Sequence, residues 1–404
     1  MIMSDKRKLM LVSPMLHQGG FERICVTTAK LMASYFDITV VIFDSSDIAY
    51  DVEGLHIIDL KLGVKKGKLR KIWNIIRRSH RLYQLKKQLK PNICYSFGTT
   101  ANIVNALSKT KETEVWLGLR SYMDMEDHIK IKLFAKLADL IICCSKVIEQ
   151  ELKSKYHCNK TTTLYNLYNV KDIQKQAEEK EPELPWGTMD SQGRVLKYII
   201  SMGREDEVKG FWHMLKAFSM IHANIPETRL VILGDGSFAP YKKLSEDLKI
   251  QDSVHFAGMQ KEPYKYLKIG SIYLLTSLRE GFPNALVEGM ALGLAPISTD
   301  CMTGPAEILL GDMPREDFEP SNDVIYGKYG ILIPVMNETP DFDAEHILQE
   351  ESNLADIVID LLMDEKKLQK YQEAAKERAQ FFTYESYIRQ FLQLACEKNT
   401  NMVE

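Results

Sequence analysis

Two glutamates, Glu280 and Glu288, are separated by seven residues that include the turn sequence Gly-Phe-Pro-Asn. Carboxylate oxygens accept hydrogen bonds, so each of these side chains could hold a hydroxyl group of a sugar or a ribose. A spacing of this kind is common by chance and on its own is weak evidence for a site. The elements around the pair must show whether the two carboxylates can act together.

The residues on either side of the pair predict a strand, a loop and a helix. The apolar run 272–277 is typical of a buried strand. Pro283 suits the first turn of a helix because it has no backbone N–H to lose, and Gly293 suits the end of that helix. The first glutamate then lies in the loop after the strand, and the second lies one turn inside a helix over 284–292. Free N–H groups at such a helix start can hold anionic oxygens.

A pair of cations follows another predicted strand. The segment 201–218 reads SMGREDEVKGFWHMLKAF and places Arg204 and Lys209 after the strand end at Gly203. Two cations at a strand exit could grip a diphosphate and stabilise it as a leaving group without a metal ion. The alternative is a solvated loop, in which the cations face their acidic neighbours 205–207. The residue types alone leave both interpretations open.

A glycine pair follows the first predicted strand. Gly19 and Gly20 permit a tight turn with close approach of the backbone to a ligand, and Glu22 and Arg23 then open a helix. By itself a Gly-Gly pair indicates only a turn. The GDG sequence at 234–236 lacks the third glycine of a dinucleotide-binding loop and is poor evidence for one.

Taken together, these motifs resemble those of glycosyltransferase family 4, the retaining enzymes of the GT-B fold. The sequence EGFPNALVE, followed by MALGLAPISTD and GPAEIL, is similar to the donor-site signature of that family. The patterns around the cation pair and the glycine pair are similar to the family's phosphate-binding turn and to its glycine-rich loop. The resemblance extends from Leu9 to about Phe391 and is more specific in the second half of the chain.

The resemblance implies a role for each motif. Glu280 would contact the donor sugar and Glu288 the nucleotide ribose, while Arg204 and Lys209 would contact the donor phosphates. Of these, Arg204, Lys209 and Glu280 are the predicted catalytic residues. The other predicted donor-binding residues are Gly19, Gly20, Gly203, Gly281, Phe282, Pro283, Asn284 and Leu286. Neither a cofactor nor a metal is expected, because the nucleotide sugar is itself the donor substrate.

Two features depart from the family pattern. Many relatives place a histidine, often before an aspartate, where this chain has Arg120 and Ser121. Arg120 could contact a phosphate or the acceptor, or it could pair with a surface carboxylate. The polar segment 311–329 is an insertion, which we expect to form a loop near the donor pocket.

Length and composition set the broader frame. A chain of 404 residues exceeds what one compact core usually holds, so two domains are expected. Its 45% apolar and 26% charged residues argue against a disordered or fibrous class. Seven cysteines without a C-x-x-C pair favour neither a zinc site nor a disulfide framework. The sequence shows no recognisable secretory signal or membrane-spanning stretch, which favours a cytoplasmic protein.

Short runs rich in Val and Ile alternate with helix-length segments, as is typical of parallel strands buried on both faces. The predicted strands are 8–15, 37–44, 54–60, 92–98, 114–120 and 138–145 in the first half, and 197–203, 229–236, 253–258, 272–277, 295–299 and 330–335 in the second. This alternation predicts an α/β fold with two doubly wound, Rossmann-like domains facing a cleft.

The predicted domains differ in function. Residues 1–180 would form the acceptor-binding domain and residues 190–378 the donor-binding domain, connected by the charged segment 171–194. A C-terminal helix within 380–404 carries an aromatic face. We expect it to cross back to the N-terminal domain and to act as a hinge.

The segment 61–90 carries twelve Lys or Arg residues and no acidic residue, although the whole chain has a net charge of −3. Within it, Leu69, Ile72, Ile76 and Tyr83 recur at roughly helical spacing, which predicts a helix that packs this face on the N-domain sheet. The cations would then form either an ordinary solvated face or a strip attracted to anionic lipid at the inner membrane face. Nucleic acid is not expected as a partner, because no aromatic platform interleaves the charges.

The leading functional prediction is a retaining, metal-independent glycosyltransferase, acting as a hexosyltransferase or an N-acetylhexosaminyltransferase. The donor would be a nucleotide-diphosphate sugar, most commonly of uridine in such enzymes, with adenosine and guanosine as alternatives. The acceptor would be a glycan or a lipid-linked sugar in surface polysaccharide synthesis. A nucleotide-sugar epimerase of the same fold and a non-catalytic nucleotide-sugar-binding protein are the rival interpretations.

Overall fold

The structure is a computed structural model that describes residues 6–17, 19–64, 67–311 and 320–400, with side chains to Cys396. The chain divides into two compact units. Unit 1 runs to Leu167 and resumes at Tyr384, and unit 2 comprises Tyr168–Thr383.

Each unit is built on a seven-stranded sheet. The strands are β1 Lys8–Ser13, β2 Asp37–Ile42, β3 Ile57–Asp59, β4 Ile93–Phe97, β5 Glu114–Leu119, β6 Leu140–Cys143, β7 Thr161–Thr163, β8 Lys197–Met202, β9 Thr228–Leu233, β10 Val254–Gly258, β11 Gly270–Leu275, β12 Ala295–Thr299, β13 Ile325–Tyr326 and β14 Ile331–Ile333. Only β13 pairs in an antiparallel sense among the described strands.

Helices connect the strands. They are α1 Gly20–Met32, α2 Lys68–Leu89, α3 Thr99–Leu107, α4 His128–Leu137, α5 Lys146–Tyr156, α6 Val170–Glu179, α7 Phe211–Asn224, α8 Ala239–Asp247, α9 Tyr264–Leu267, α10 Asn284–Leu292, α11 Pro305–Leu309, α12 Gln349–Met363, α13 Glu365–Ala379 and α14 Tyr384–Thr400. Central strands such as β4 and β12 are buried along their whole length, as apolar runs in a parallel sheet require.

The strand order places a functional edge in each sheet. It is β3-β2-β1-β4-β5-β6-β7 in unit 1 and β10-β9-β8-β11-β12-β14-β13 in unit 2. The order reverses between β1 and β4 and between β8 and β11. In open α/β sheets, ligands bind at the carboxyl ends of the strands beside such a reversal. The predicted fold class, two doubly wound Rossmann-like domains, is confirmed.

All twelve predicted strands are present, and the two short strands β7 and β13 were missed. Strands of two or three residues are too short to show a periodic pattern. The strand β13 lies within the 311–329 insertion, which was expected to be a loop. Residues 312–319 of that insertion lie outside the described residues.

The segment 171–194 was predicted to connect the two domains, and α6 occupies its first part. The buried side chains Ile173 and Ala177 lie on this helix, which packs against α9 and α10 of unit 2. Gln174 also donates from Nε2 to the carbonyl of Ala291 at 3.1 Å. The compact units therefore divide at 167/168, before the predicted domain boundary at 180–190.

The packing prediction for α2 is wrong. Its supposed core face is exposed: Leu69 is 78% exposed, Ile72 55%, Ile76 52% and Tyr83 39%. The buried residues of this helix are Asn74, Arg78, Ser79, Leu82 and Lys86. The helix thus turns a face of mixed polarity towards the unit, on which Leu82 packs in the core beside the buried polar side chains, and it leaves another apolar stripe outside.

Backbone and amide oxygens explain this inversion. Arg78 donates from Nε to the carbonyl of Leu62 at 2.8 Å, and its guanidinium lies 4.4 Å from the ring centre of Phe43. Lys86 donates from Nζ to Oδ1 of Asn105 at 2.7 Å. Buried polar groups are tolerated where they are hydrogen-bonded, so Arg78 and Lys86 can lie on the buried face beside Leu82.

Helix α14 returns to unit 1, as the fold prediction required. Phe391 is fully buried, with its ring 5.5 Å from that of Trp116, and the hydroxyl of Tyr387 lies 2.9 Å from that of Thr28. Of the predicted helical segment 380–404, residues 401–404 lie outside the described residues. The hinge role of this helix stays a prediction.

Candidate active site

Two loops of unit 2 meet at the carboxyl ends of β8 and β11, where the strand order reverses. The Thr276 hydroxyl donates to the carbonyls of Lys209 and Gly210 at 3.0 and 3.1 Å, and the Leu278 N–H donates to the carbonyl of Val208 at 2.8 Å. Gly210 has φ +60°, and a Cβ there would lie 2.4 Å from the Thr276 carbonyl oxygen. A side chain at this position would therefore separate the two loops.

The joined loops bring Lys209 and Glu280 into contact. The Nζ atom of Lys209 lies 2.6 Å from Oε1 of Glu280, and the two side chains are 20% and 11% exposed. Thr303 donates its hydroxyl to the Glu280 carbonyl. The pair is thus a positioned cation and carboxylate that are only partly hydrated. Lys209 could exchange Glu280 for a phosphate oxygen of a ligand, and Glu280 could exchange Lys209 for a hydroxyl group.

Arg204 lies at the same strand exit but does not join this pair. Its side chain is 74% exposed and lies 3.1 Å from Asp206. This contact with an acidic neighbour is the one that the solvated-loop alternative described, whereas Glu205 is partly buried. It accepts from the Phe238 N–H at 2.9 Å, and its own N–H donates to the carbonyl of Asp235 at 2.7 Å. The GDG sequence at 234–236 is therefore hydrogen-bonded to the loop after β8. The sequence did not indicate this contact.

Glu288 lies inside α10, as predicted. The residue is only 3% exposed, and the Tyr264 hydroxyl donates to its Oε1 at 3.4 Å. The helix begins at Asn284 and ends before Gly293, which has φ +87°. Leu286 is fully buried, so its part in the site is to anchor this helix in the core.

The loop 280–284 is held by residues that the sequence analysis did not single out. A Cβ on Gly304, which has φ +92°, would lie 2.5 Å from Cδ of Pro283 and 3.1 Å from the carbonyl oxygen of Gly281. The ring of Phe282 meets that of Phe382 edge-on at 5.4 Å. The Tyr168 hydroxyl donates to Oδ1 of Asn284 at 2.5 Å.

Two further buried groups border the pair. Burial raises the pKa of Tyr273 well above its usual range. Burial, with a smaller contribution from Glu280, raises the pKa of the Cys301 thiol in the same way. Both groups therefore stay neutral at physiological pH, and the charge at this site belongs to the carboxylates and cations.

The glycine pair belongs to unit 1, whereas the other predicted donor-binding residues belong to unit 2. Gly20 is the first residue of α1, and the Gly19 N–H and carbonyl both bond to the Tyr50 hydroxyl, at 2.9 and 2.7 Å. Glu22 is 1% exposed, and burial raises its pKa. The turn is therefore a fixed structural feature of unit 1.

Arg120 also lies in unit 1, at the end of β5. It donates to the Tyr95 hydroxyl, to the Leu164 carbonyl at 3.2 Å and to Oδ1 of Asn166 at 3.3 Å. Burial acts to lower the pKa of Arg120, but Tyr95, Tyr387 and Cys144 together outweigh it and the pKa is raised. Its guanidinium has no carboxylate partner among the described residues, so the surface ion pair is not formed.

Comparison with known proteins identifies the family. Residues 194–312 match the family model of glycosyl transferases group 1. An uncharacterized glycosyltransferase of Methanocaldococcus jannaschii is 31% identical over 81% of this chain and 85% of its own length.

Two more distant likenesses span nearly the whole chain. A Campylobacter jejuni enzyme named N-acetylgalactosamine-N,N'-diacetylbacillosaminyl-diphospho-undecaprenol 4-alpha-N-acetylgalactosaminyltransferase is 23% identical over 91% of this chain and 93% of its own. The structure of Anabaena HepE in complex with UDP and glucose superimposes with a TM-score of 0.69, at 16% identity over 96% of this chain and 99% of that one. The chain therefore belongs to the glycosyl transferases group 1 family and is a glycosyltransferase of the GT-B fold.

Proposed function

We propose that the protein is a retaining, metal-independent glycosyltransferase. It moves a sugar from a nucleotide-diphosphate sugar, with UDP as the nucleotide, to a hydroxyl group of a glycan or lipid-linked acceptor in the synthesis of surface polysaccharide or glycoconjugate. The contact between Lys209 and Glu280 at the reversal of the sheet carries the proposal. It combines, in one partly buried place, a cation for phosphate and a carboxylate for a sugar hydroxyl.

The proposed reaction uses the donor's own phosphate as the base. The bond between the anomeric carbon and the phosphate oxygen breaks, and the acceptor oxygen bonds to the same face of the sugar. The acceptor proton passes to the departing diphosphate. Lys209 and Arg204 stabilise the charge on that diphosphate, which is where preorganised electrostatic groups lower a barrier most. Glu280 orients the sugar and Glu288 holds the ribose.

The names of similar proteins support the substrate classes. The C. jejuni relative is named for the transfer of N-acetylgalactosamine to a sugar carried on diphospho-undecaprenol. HepE was solved with UDP and glucose. A UDP-sugar donor and a lipid-linked acceptor are therefore the first substrates to test on this chain.

The test begins with a thermal-shift screen of nucleotide sugars. A ligand at 100 times its dissociation constant should stabilise the protein by about 2.7 kcal/mol. Transfer from the best donor is then measured with and without EDTA, and the anomeric configuration of the product is read by NMR. We expect a retained configuration and unchanged turnover in EDTA. An inverted product, or activity that EDTA abolishes and Mg²⁺ restores, would refute the proposed mechanism.

We further propose that α2 attaches the enzyme to anionic membrane. Its exposed stripe includes Trp73, which is 66% exposed, beside Ile72 and Ile76. Exposed cations flank the stripe at Lys68, Arg70, Lys71, Arg77, Arg81 and Lys87. An interfacial helix gains from buried apolar area, and each cation near anionic lipid adds about 1 kcal/mol. Within the described part of the chain, no helix is long and apolar enough to cross a bilayer.

Vesicle sedimentation tests this attachment. Arg77→Glu with Arg81→Glu should weaken binding to anionic vesicles and remove its salt dependence, whereas Trp73→Ser should weaken binding at all salt concentrations. Arg78 must be left intact, because it is buried against the Leu62 carbonyl. Ile129→Ser is the matched control, since Ile129 is 83% exposed on a different helix of unit 1. Unchanged vesicle binding by both α2 variants would leave the stripe without this role.

A further inference from the structure

The segment by which the chain enters unit 2 contacts the first residue of α10. Tyr168 is 2% exposed, and its hydroxyl donates to Oδ1 of Asn284 at 2.5 Å across 116 positions of sequence. Asn284 is the residue at which α10 begins. This hydrogen bond links a buried tyrosine to a partly buried asparagine and contributes to holding the Asn284 amide in place.

The entry segment is itself held by the exit segment of the same unit. The Tyr168 N–H donates to the Phe382 carbonyl at 2.9 Å, and Tyr168 forms a parallel bridge with Thr383. Phe382 in turn packs its ring edge-on against Phe282 at 5.4 Å. The first residue of unit 2 and its next-to-last residue thus contact two residues of the 280–284 loop.

The entry segment then continues along α10 to its other end. Helix α6 follows Tyr168 and packs against α10, and Gln174 donates to the carbonyl of Ala291 at 3.1 Å. Ala291 lies one residue before the end of α10. Residues 168–174 therefore hold α10 at its first and at its last turn.

We infer that Tyr168 is a positioning residue for the donor, acting through Asn284. Its hydroxyl orients the Asn284 amide at the start of α10, and the free backbone N–H groups of a helix start can hold the oxygens of a diphosphate. The inference rests on the proposed function, because it takes this helix start as the donor diphosphate site. It adds a residue outside the predicted donor-binding motifs, and it makes donor affinity depend on the entry segment of unit 2.

The experiment measures the affinity for UDP by calorimetry, with ADP and GDP alongside. Tyr168→Phe removes one hydroxyl and keeps the ring and the backbone bridge. We expect its Kd for UDP and its KM for the donor to rise about tenfold, the scale of one partly buried hydrogen bond. The KM for the acceptor should not change. Tyr198→Phe is the matched control, since the Tyr198 hydroxyl donates to the carbonyl of Gly187 instead.

A double-mutant cycle separates positioning from general stability. Asn284→Ala should weaken UDP binding by a similar factor, and adding Tyr168→Phe to it should change the Kd less than twofold. Multiplicative effects, or a Tyr168→Phe protein with a lower melting temperature and an unchanged Kd, would overturn the inference. If the wild-type protein bound none of the three nucleotides, the proposed function itself would fail. Binding that is weakened by Glu288→Gln but not by Tyr168→Phe would refute the inference alone.

Discussion

At the scale of single residues, the contact of Lys209 with Glu280 brings together two motifs that lie far apart in the sequence. The two residues lie 71 positions apart, and their contact is 2.6 Å. In the absence of a donor the glutamate neutralises the lysine, so the lysine can be held at low exposure without an unpaired charge. A bound diphosphate would take over the lysine and release the glutamate to a sugar hydroxyl.

The first prediction concerns the diphosphate clamp. Lys209→Ala and Arg204→Ala should each lower turnover by on the order of 10² to 10³, the effect of removing one preorganised electrostatic group. Because Arg204 is largely exposed, its variant should melt at the wild-type temperature. Steady-state kinetics and a melting curve measure both effects. Near-normal turnover in both folded variants would place the phosphates elsewhere.

The second prediction separates the two glutamates. Glu288→Gln should weaken binding of free UDP, because the ribose belongs to the donor and to the product. Glu280→Gln should leave UDP affinity nearly unchanged and lower turnover, because the sugar is absent from UDP. Calorimetry with UDP and turnover with the full donor distinguish the two. An equal loss of UDP affinity in both variants would contradict the assigned roles.

At the scale of elements, α7 is tied to the loop before α12 by buried charge. Lys216 has a fully buried side chain and donates from Nζ to Oδ2 of Asp341 at 2.8 Å and to the His346 carbonyl at 2.7 Å. On the same helix, His213 contacts Glu351 of α12 at 2.7 Å, and both side chains are buried. Helix α7 follows the loop that carries Lys209, so these contacts anchor the helix to which that loop leads.

The third prediction is that the stabilisation by the contact between Lys216 and Asp341 depends on pH. The hydrogen bond from Lys216 lowers the pKa of Asp341 from 3.8 to about 2. A lowered carboxylate pKa contributes stability that is present above the ordinary pKa and is lost as the pH falls towards the lowered value. Asp341→Asn should therefore reduce the free energy of unfolding by about 2 kcal/mol at pH 7, the scale of a hydrogen bond to a buried charge.

Urea unfolding at several pH values measures this difference. The gap between the wild type and Asp341→Asn should be constant from pH 7 to about pH 4 and should close towards pH 2. Asp343→Asn, at an exposed neighbouring position, should show no such gap. A gap that stays constant down to pH 2 would show that the Asp341 charge is not what Lys216 requires.

At the scale of the whole molecule, residues from the far end of the sequence complete the first unit. Helix α14 supplies Tyr387, Phe391 and Ala395 to the core that contains Trp116. Unit 1 is thus discontinuous in sequence, and the chain passes between the units twice, at 167/168 and at 383/384.

The fourth prediction tests this dependence. Phe391→Ala should lower the free energy of unfolding by about 3–5 kcal/mol, because it empties a fully buried aromatic position. Hydrogen exchange should increase in the β-strands of unit 1 and much less in those of unit 2. The exposed Gln393 of the same helix provides the control variant Gln393→Ala. Equal increases in both units would mean that they unfold together.

The sequence by itself determined the local elements and the motif positions. The strands were found because parallel strands are apolar throughout, and α10 was placed at 284–292 because proline and glycine mark its ends. The resemblance to the family then predicted a role for Glu280 and another for Glu288. All of these inferences depend on neighbouring residues, which the chain order already shows.

The tertiary structure alone decided which distant groups meet. The contacts of Lys209 with Glu280 and of Tyr168 with Asn284 join separate elements, so no local pattern could show them. The buried face of α2 was mispredicted for the same reason, because the acceptor of Arg78 is a carbonyl in another segment of the chain. Periodicity measures the side chains of one helix, whereas burial depends on whether the rest of the fold supplies apolar contacts or hydrogen-bond partners.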